Sequence, residues 1–549
     1  MAASVNEKQT KDGVSVESEN EKSKDESTQI GSDGDTARPQ VQDASEEPPS
    51  ERPIERVIST EEYSVLSVTQ KKVVILTVSL ASLFSPMATS IYYPSLTTIA
   101  KDLHVTDSQV SITVTLFLVI QGIAPACFAE IADKSGRRPV YIMCYIIFNA
   151  ANIGLALQNS YTALLILRML QAAGSSATVA LANGVVGDIV TSAERGQYIA
   201  YASLAGMLGP TVAPILGGVI AQYAGWHFLF WFQLIFSTAV FVPLILFLPE
   251  TCRAIVDNGT IPPPFFSRNI TDYIRHKNRQ KRGLTVNTAK QEEIRKNYHW
   301  RSPNPLATLV AVTDLETAII LFSTGLGLGC FYAISTGAAS AFSSLYGFDQ
   351  VQIALMFIPI GIGSVCAALS SGRLIDRNYR RYCKMLGIPV VKNRRQDLAN
   401  FPIEKARLEV AFPVFFLAGS FLIIYGWILT KKFSLAAPVI TLFITGFGLT
   451  FTFQVLNVLM VDIYPGKPSI ATAANNLFRC EIGAVFTAII IPLINKIGIR
   501  WAYTILALLY MGFAPMLLVI MRKGQVWRKE RKAKEDKVKL KKEEKARSR

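Results

Sequence analysis

Long apolar runs separated by short polar breaks occupy most of this chain. They lie near 73–97, 109–130, 139–158, 162–188, 198–223, 226–248, 317–342, 351–371, 410–429, 436–461, 469–493 and 501–521. About 20 apolar residues in helical form cross the hydrocarbon of a bilayer, so each of the twelve runs is long enough to span one. A hydrophilic segment from Pro249 to about Pro305 divides them into two sets of six. The pattern predicts an all-α membrane protein of twelve transmembrane helices, with one six-helix half over 71–249, a loop over 250–306 and a second half over 307–522. Residues 1–70 are polar and nearly free of aromatics; they cannot bury enough apolar surface to fold, and a disordered tail is expected there. The opening MAASVNEKQTKDG lacks the apolar stretch of a signal peptide.

Composition supports the membrane reading, since 50% of the 549 residues are hydrophobic and only 18% charged, against about 25% charged in ordinary soluble domains. Lys and Arg collect on the cytoplasmic side of membrane proteins. With both termini cytoplasmic, the inner segments include the central loop (Arg253, Arg268, Arg275, Lys277 and others) and the stretch from Arg373 to Arg407, while the outer loops carry little beyond Lys101, Lys431, Lys432, Lys496 and Arg500. A multi-pass protein of the cell (plasma) membrane follows, and a monomer is expected. Between Arg522 and Arg549 there are fourteen Lys or Arg and five acids, supplying +9 of the formal +15. Such a run also suits nucleic acid, but on a membrane protein the basic tail over 523–549 is read as a solvated segment lying near anionic lipid, with no nucleic-acid partner.

Enzyme chemistry finds no foothold. The seven cysteines (127, 144, 252, 330, 366, 383 and 480) form no metal-ligand spacing, and the histidines (104, 227, 276 and 299) sit in or near breaks between runs. Neither a cofactor nor a metal is expected.

One break is unusually charged. Asp133-Lys134-Ser135-Gly136-Arg137-Arg138 falls between the second and third runs, where Gly136 permits a sharp turn, the arginines hold it in the headgroup layer and Asp133 pairs with them or with a helix end. A second copy, LSSGRLIDRNYRR at 369–381, falls between the eighth and ninth runs and contributes Gly372, Asp376 and Arg377. A small residue precedes each acid by four, Ala129 before Asp133 and Gly372 before Asp376. Duplication of a six-helix unit explains this, giving two pseudo-symmetric halves of the kind from which one large class of secondary transporters is built.

The stretch AEIADKSGRRP resembles the loop signature of the major facilitator superfamily, with Ala129 and Lys134 as mild departures. LLILRMLQAAGSSA resembles that superfamily's fourth-span motif through Arg168, Gln171 and Gly174, and GMLGPTVAPILGG resembles the fifth-span motif of its antiporter branch through Gly209, Pro210, Pro214, Gly217 and Gly218. With SPMATSIYYPSL, LPET and NNLFRC added, the chain over roughly 60–525 is similar to the fungal twelve-span drug:proton antiporters, and within them to the quinidine-resistance and dityrosine-transporter group of yeasts. The resemblance implies a major facilitator fold and a proton-coupled exporter of amphipathic drugs, organic cations or small metabolites, working by alternating access. A nutrient or metabolite carrier of the same fold is the alternative.

The same residues have a physical reading. In the fifth run Ala205, Gly209, Ala213, Gly217 and Ala221 form one stripe, and Gly206, Pro210, Pro214 and Gly218 another beside it. Small stripes let helix backbones approach closely and prolines bend them. Ionisable groups at membrane depth are costly and usually functional; Arg168, Arg479 and Glu481 are the candidates. Arg479 shares a polar face with Thr472, Asn475 and Asn476, suited to a water-filled cavity. Glu481, two residues on, points elsewhere and is either a proton-carrying acid or a structural acid paired with a cation on another helix. Arg168 is assigned to the proton relay or cavity electrostatics, and Tyr92, Tyr93, Gln121, Gln454 and Asn457 to holding an amphipathic substrate. The sequons at Asn258 and Asn269 fall in the cytoplasmic loop and are expected to stay unglycosylated.

Overall fold

A computed structural model describes residues 64–190, 195–264, 267–269, 272, 314–387, 401–431, 434–463 and 468–547. The expected N-terminal tail up to residue 63, most of the central loop and 388–400 lie outside them. Every regular element among the described residues is helical.

The first apolar run is broken into α1 (Val68–Ser82), α2 (Phe84–Ser90), a single 3₁₀ turn over Tyr93–Ser95 and α3 (Leu96–Asp102). Pro94, which has no backbone N–H to give, sits at the start of that turn. Then come α4 (Asp107–Ser135), α5 (Arg137–Leu157), α6 (Tyr161–Ile189), α7 (Arg195–Ala224), α8 (Phe228–Phe247) and the short α9 (Arg253–Val256). The later helices are α10 (Leu315–Tyr346), α11 (Gln350–Leu355), α12 (Phe357–Met385), α13 (Ile403–Thr430), α14 (Ala436–Ile463), α15 (Pro468–Ile497), α16 (Ile499–Met511) and α17 (Ala514–Arg547). Three starts are fixed by reciprocal caps: Ser67 with Gln70, Thr106 with Gln109, and Asp349 with Gln352, in each case satisfying backbone donors that the first turn leaves orphaned.

Among the described residues eleven helical segments are long and apolar enough to cross a membrane. The thirty-residue α7, at the place of the fifth apolar run, is a further long helix. Helices α1–α8 pack mainly on one another and α10–α17 mainly on one another; α4 against α15, and α7 against α11 and α12, join the two groups.

The stripes on α7 explain how it serves both groups. Gly209 lies against Pro86 of α2, and Gly217 so close to the Ile91 carbonyl that no side chain fits between them. Gly218, on the neighbouring stripe, meets Ala354 and the Gln350 carbonyl of α11, and Thr211 fills the space over Gly361 of α12. The glycines at 217 and 218 therefore seat one helix against two partners at once. The side chains of Ala205 and Gly206, at the start of each stripe, lie outside the described residues.

Two expectations change. The segment 369–381 is not a turn: α12 runs unbroken through it to Met385. Nor do residues 523–531 form a free tail. They continue α17, and Arg528 pairs with buried Glu404 of α13 at 3.0 Å while Arg531 reaches Asp314 at 3.4 Å and Glu316 of α10 at 3.6 Å. An acid is costly to bury alone, so these two arginines bind the start of the basic segment to the bundle.

Candidate functional site

Two clusters carry the charged and polar groups picked out in the sequence. At one end of the bundle, α4 stops at Ser135 because Gly136 takes φ +108° and ψ 151°, a conformation open essentially to glycine alone. Asp133 in the last turn of α4 pairs with the Arg137 guanidinium at 2.6 Å, and Arg137 Nε pairs with Asp188, near the end of α6, at 3.0 Å. That guanidinium packs over Gly184, where a Cβ would be 2.6 Å from Cζ. Arg137 and Arg138 are both buried within the protein: the first is offset by two acids, and the second donates to the Ile245 carbonyl at 2.8 Å. Lys134 pairs with Glu130 at 2.8 Å.

Glu250 completes this turn from 113 and 112 residues away, a separation across which the sequence does not indicate its partners. Its carboxylate accepts backbone N–H bonds from Arg137 (2.9 Å), Arg138 (3.2 Å), Thr251 (3.0 Å) and Cys252 (3.0 Å). The first two are orphan donors of α5, whose own cap residue, Gly136, has no side chain to offer. Burial pushes the Glu250 carboxyl upward and the four donors pull it back, leaving it above the ordinary glutamate range. Burial raises the neighbouring Cys252 thiol to about 12, so it stays a protonated filler. The LPET tetrapeptide was the available signal for Glu250, and a charge at the end of an apolar run was the signal for Asp188.

The second copy is built differently. Gly372 is helical with nothing near its Cα face, and Asp376 and Arg377 are exposed. The buried cation is Arg407, in the first turns of α13: it pairs with Asp462 near the end of α14 at 3.0 Å, reaches the Ile375 carbonyl at 3.4 Å and lies over the Tyr379 ring. Asn378 ties α12 to the Ala406 carbonyl at 2.7 Å.

Within the apolar helices the structure separates Arg168 from Arg479. Arg168 and Gln171 are wholly buried inside the first group of helices. The guanidinium is sandwiched between Tyr92 and Phe117, each centroid 4.4 Å away, and donates to the Ala88 carbonyl (3.1 Å) and to Gln171 Oε1 (2.6 Å). Gln171 passes the network to Asn152 (2.8 Å) and Gln233 (3.2 Å). Aromatic faces attract a desolvated cation by about 2 kcal/mol, and here they stand where a carboxylate would be expected. Tyr92 and Tyr93 are likewise buried, and neither offers its ring to solvent.

Arg479 is only partly buried. One nitrogen donates to Asn476 Oδ1 at 2.8 Å, its carbon lies 5.8 Å from the Phe453 centroid, and Nε has no partner. Asn476 in turn donates to the Gln121 carbonyl of α4 at 3.3 Å, and Gln121 Nε2 donates to Ser85 Oγ of α2 at 2.8 Å. A hydrogen-bonded chain therefore crosses from the first span to the eleventh. Asn475 pairs with Asn457 of α14 at 3.0 Å, so the polar face read along α15 is used, while the Thr472 side chain lies outside the described residues. Glu481 points away from Arg479, as the spacing implied: Oε1 is 3.0 Å from where a Cβ on Gly122 of α4 would be, and it has no hydrogen-bond partner. Among the described residues no carboxylate lies within ion-pair distance of Arg168 or Arg479, and no cation within that distance of Glu481.

Comparison with known proteins fits this architecture. The family model described as Major Facilitator Superfamily matches residues 78–488. The MFS-type transporter phiD of a fungal species (strain ATCC 74256) is 50% identical over 473 residues, covering 86% of this chain and 71% of that protein. The MFS-type transporter tstD of Talaromyces stipitatus is 46% identical over 486 residues, covering 88% of each. Among solved structures, a partially occluded, inward-open form of the xylose transporter XylE from E. coli superposes with a TM-score of 0.53 at 13% identity, over 83% of this chain and 98% of that one, a likeness of fold alone.

Proposed function

This chain belongs to the major facilitator superfamily and is a membrane transporter rather than an enzyme; from that premise we propose that it exports an amphipathic organic molecule by alternating access, in exchange for protons. The observation that carries the reading is Glu481, a carboxyl group at the contact between α4 and α15, with a buried oxygen that nothing satisfies. The two groups of helices must part and close along that contact if a central site is to open first to one side and then to the other. A carboxyl at a contact that closes and opens to water in turn can take up a proton in one state and release it in the other, which makes it a suitable proton carrier. Arg168, caged by aromatics and amides, acts in this scheme by fixing α2 to α6 and by setting the field around the centre.

The excess of Lys and Arg on one side supports an orientation with the Asp133–Arg138 turn and both termini in the cytoplasm, and the plasma membrane is the proposed location. The described contacts that bind α7 to α11 and α12 then lie toward the outer side and at mid-depth, which suits a form open to the cytoplasm.

The test is transport in liposomes holding the purified protein under an imposed pH gradient, with quinidine as the probe. Uptake should reverse with the gradient and lose its gradient dependence in Glu481→Gln, while that variant still binds quinidine; Arg168→Ala should lower the rate without abolishing binding. Transport indifferent to the gradient in every variant would replace exchange by the carrier alternative.

A further inference from the structure

Arg479 has three properties that no other arginine of the described residues combines: it lies midway along a long apolar helix, it is partly open, and its polar neighbours, the Asn476 amide and the Cys480 thiol, are both neutral groups on its own helix. The arginines at the ends of the bundle, Arg137, Arg407, Arg528 and Arg531, are matched with acids, and Arg168 is sealed from solvent. A guanidinium presents five donors in a planar fork that matches a carboxylate. Here one nitrogen holds Asn476 and buried Nε holds nothing. A charge kept unpaired at this depth is expensive unless a ligand completes it.

We propose that the transported molecule carries a carboxylate and that Arg479 is the residue that selects it. This deepens the exporter reading and rests on it. The carboxylate takes the free edge of the fork and competes with Asn476 for the other. Because Asn476 is also the donor to the Gln121 carbonyl, loosening it from Arg479 frees the link that joins α15 to α4. Phe453, already stacked near the guanidinium, and Gln454 beside it on α14 supply apolar and polar surface for the rest of an amphipathic anion. Among the described residues no carboxylate lies within ion-pair distance of Arg479, so an organic cation such as quinidine gains nothing from this residue and is held by other contacts.

The experiment uses two aromatic probes of opposite charge, naphthalene-1,4-dicarboxylate and quinidine, with the purified full-length protein. Binding is read by calorimetry in detergent and flux in liposomes. Wild type should bind and carry the dicarboxylate. Arg479→Ala should weaken that binding about ten- to hundredfold, the loss expected for charge-assisted hydrogen bonds, and Arg479→Lys, which keeps the charge but not the fork, should fall between; quinidine binding should not weaken in either. A wild type that carries quinidine but not the dicarboxylate overturns the proposal and leaves the exporter standing, as does unchanged dicarboxylate affinity in a monodisperse Arg479→Ala. If that variant does not fold, Arg479→Lys decides by the same two readouts. A wild type that neither binds nor carries either of the two probes overturns the exporter reading, and the anion proposal with it.

Discussion

The two copies of the charged segment began from one pattern and ended as different structures. Asp133 and Asp376 stand at the same distance along their spans, counted from Asp107 and Gln350. After Asp133 the helix ends within a turn at a glycine of positive φ, and the next cations, Arg137 and Arg138, are folded inward. After Asp376 the helix carries on, and Arg377 is left in the open. Yet both sides solve the same problem: a partly buried aspartate near the end of the fourth or tenth span, Asp188 or Asp462, is matched by an arginine at the start of the third or ninth, Arg137 or Arg407. The repeat preserves the ion pair between helix ends, while the turn that delivers the arginine differs.

If that comparison is right, the largest difference lies among three arginine-to-alanine variants. Arg137→Ala strands Asp188 and Asp133 together, and removing one partner of a buried pair costs about 3–5 kcal/mol. Arg407→Ala should cost somewhat less, because the Asp462 side chain keeps 23% of its exposure against 13% for Asp188. Arg377→Ala, although it alters the residue that matches the motif, should stay within about 0.5 kcal/mol of wild type, as surface substitutions usually do. Heat-induced unfolding of the purified protein ranks the three. An Arg377 variant as damaged as the Arg407 one would restore the sequence-based equivalence and break the structural one.

The next effect belongs to Glu250, which has no counterpart among the described contacts of the second copy. Glu250→Gln keeps the size and one acceptor but removes the charge that four backbone donors share. Charge-assisted bonds are roughly twice as strong as neutral ones, so a loss of about 1–3 kcal/mol is expected. The amide hydrogens of Arg137 and Arg138 should exchange faster in the same variant, and unchanged exchange there would remove Glu250 from the role of distant cap.

How much of this was readable beforehand follows from the range of each interaction. Apolar runs and reciprocal caps such as Thr106 with Gln109 involve residues within a few positions, and the helices appear where the pattern put them, eleven of them long and apolar enough to span among the described residues. The two stripes on α7 were visible for the same reason, although which stripe meets which partner was not. The opposite bearings of Arg479 and Glu481 followed from helix geometry. What the pattern did not show are pairings across the chain: Glu250 with α5, Arg407 with Asp462, Arg528 with Glu404. Pairings of that kind depend on where helix ends meet in space. Nor could the motif say whether Gly372 would turn the chain, since glycine permits a turn without requiring one.

That last ambiguity yields the finest discrimination between the copies. Glycine costs a helix interior about 1 kcal/mol relative to alanine. At Gly136 a methyl would sit 2.5 Å from Glu250 Oε2 in a backbone conformation closed to alanine, so Gly136→Ala should destabilise by about 1–3 kcal/mol. At Gly372 a methyl meets nothing within 4 Å and the backbone is helical; there alanine should stabilise, by up to about 1 kcal/mol. Opposite signs from one substitution at the glycine of each copy, Gly136 three residues after its acid and Gly372 four before its own, would show that the turn is a property of the first copy alone. A loss at Gly372 as well would mean that the second copy bends during the transport cycle, and that its straight helix is one state of two.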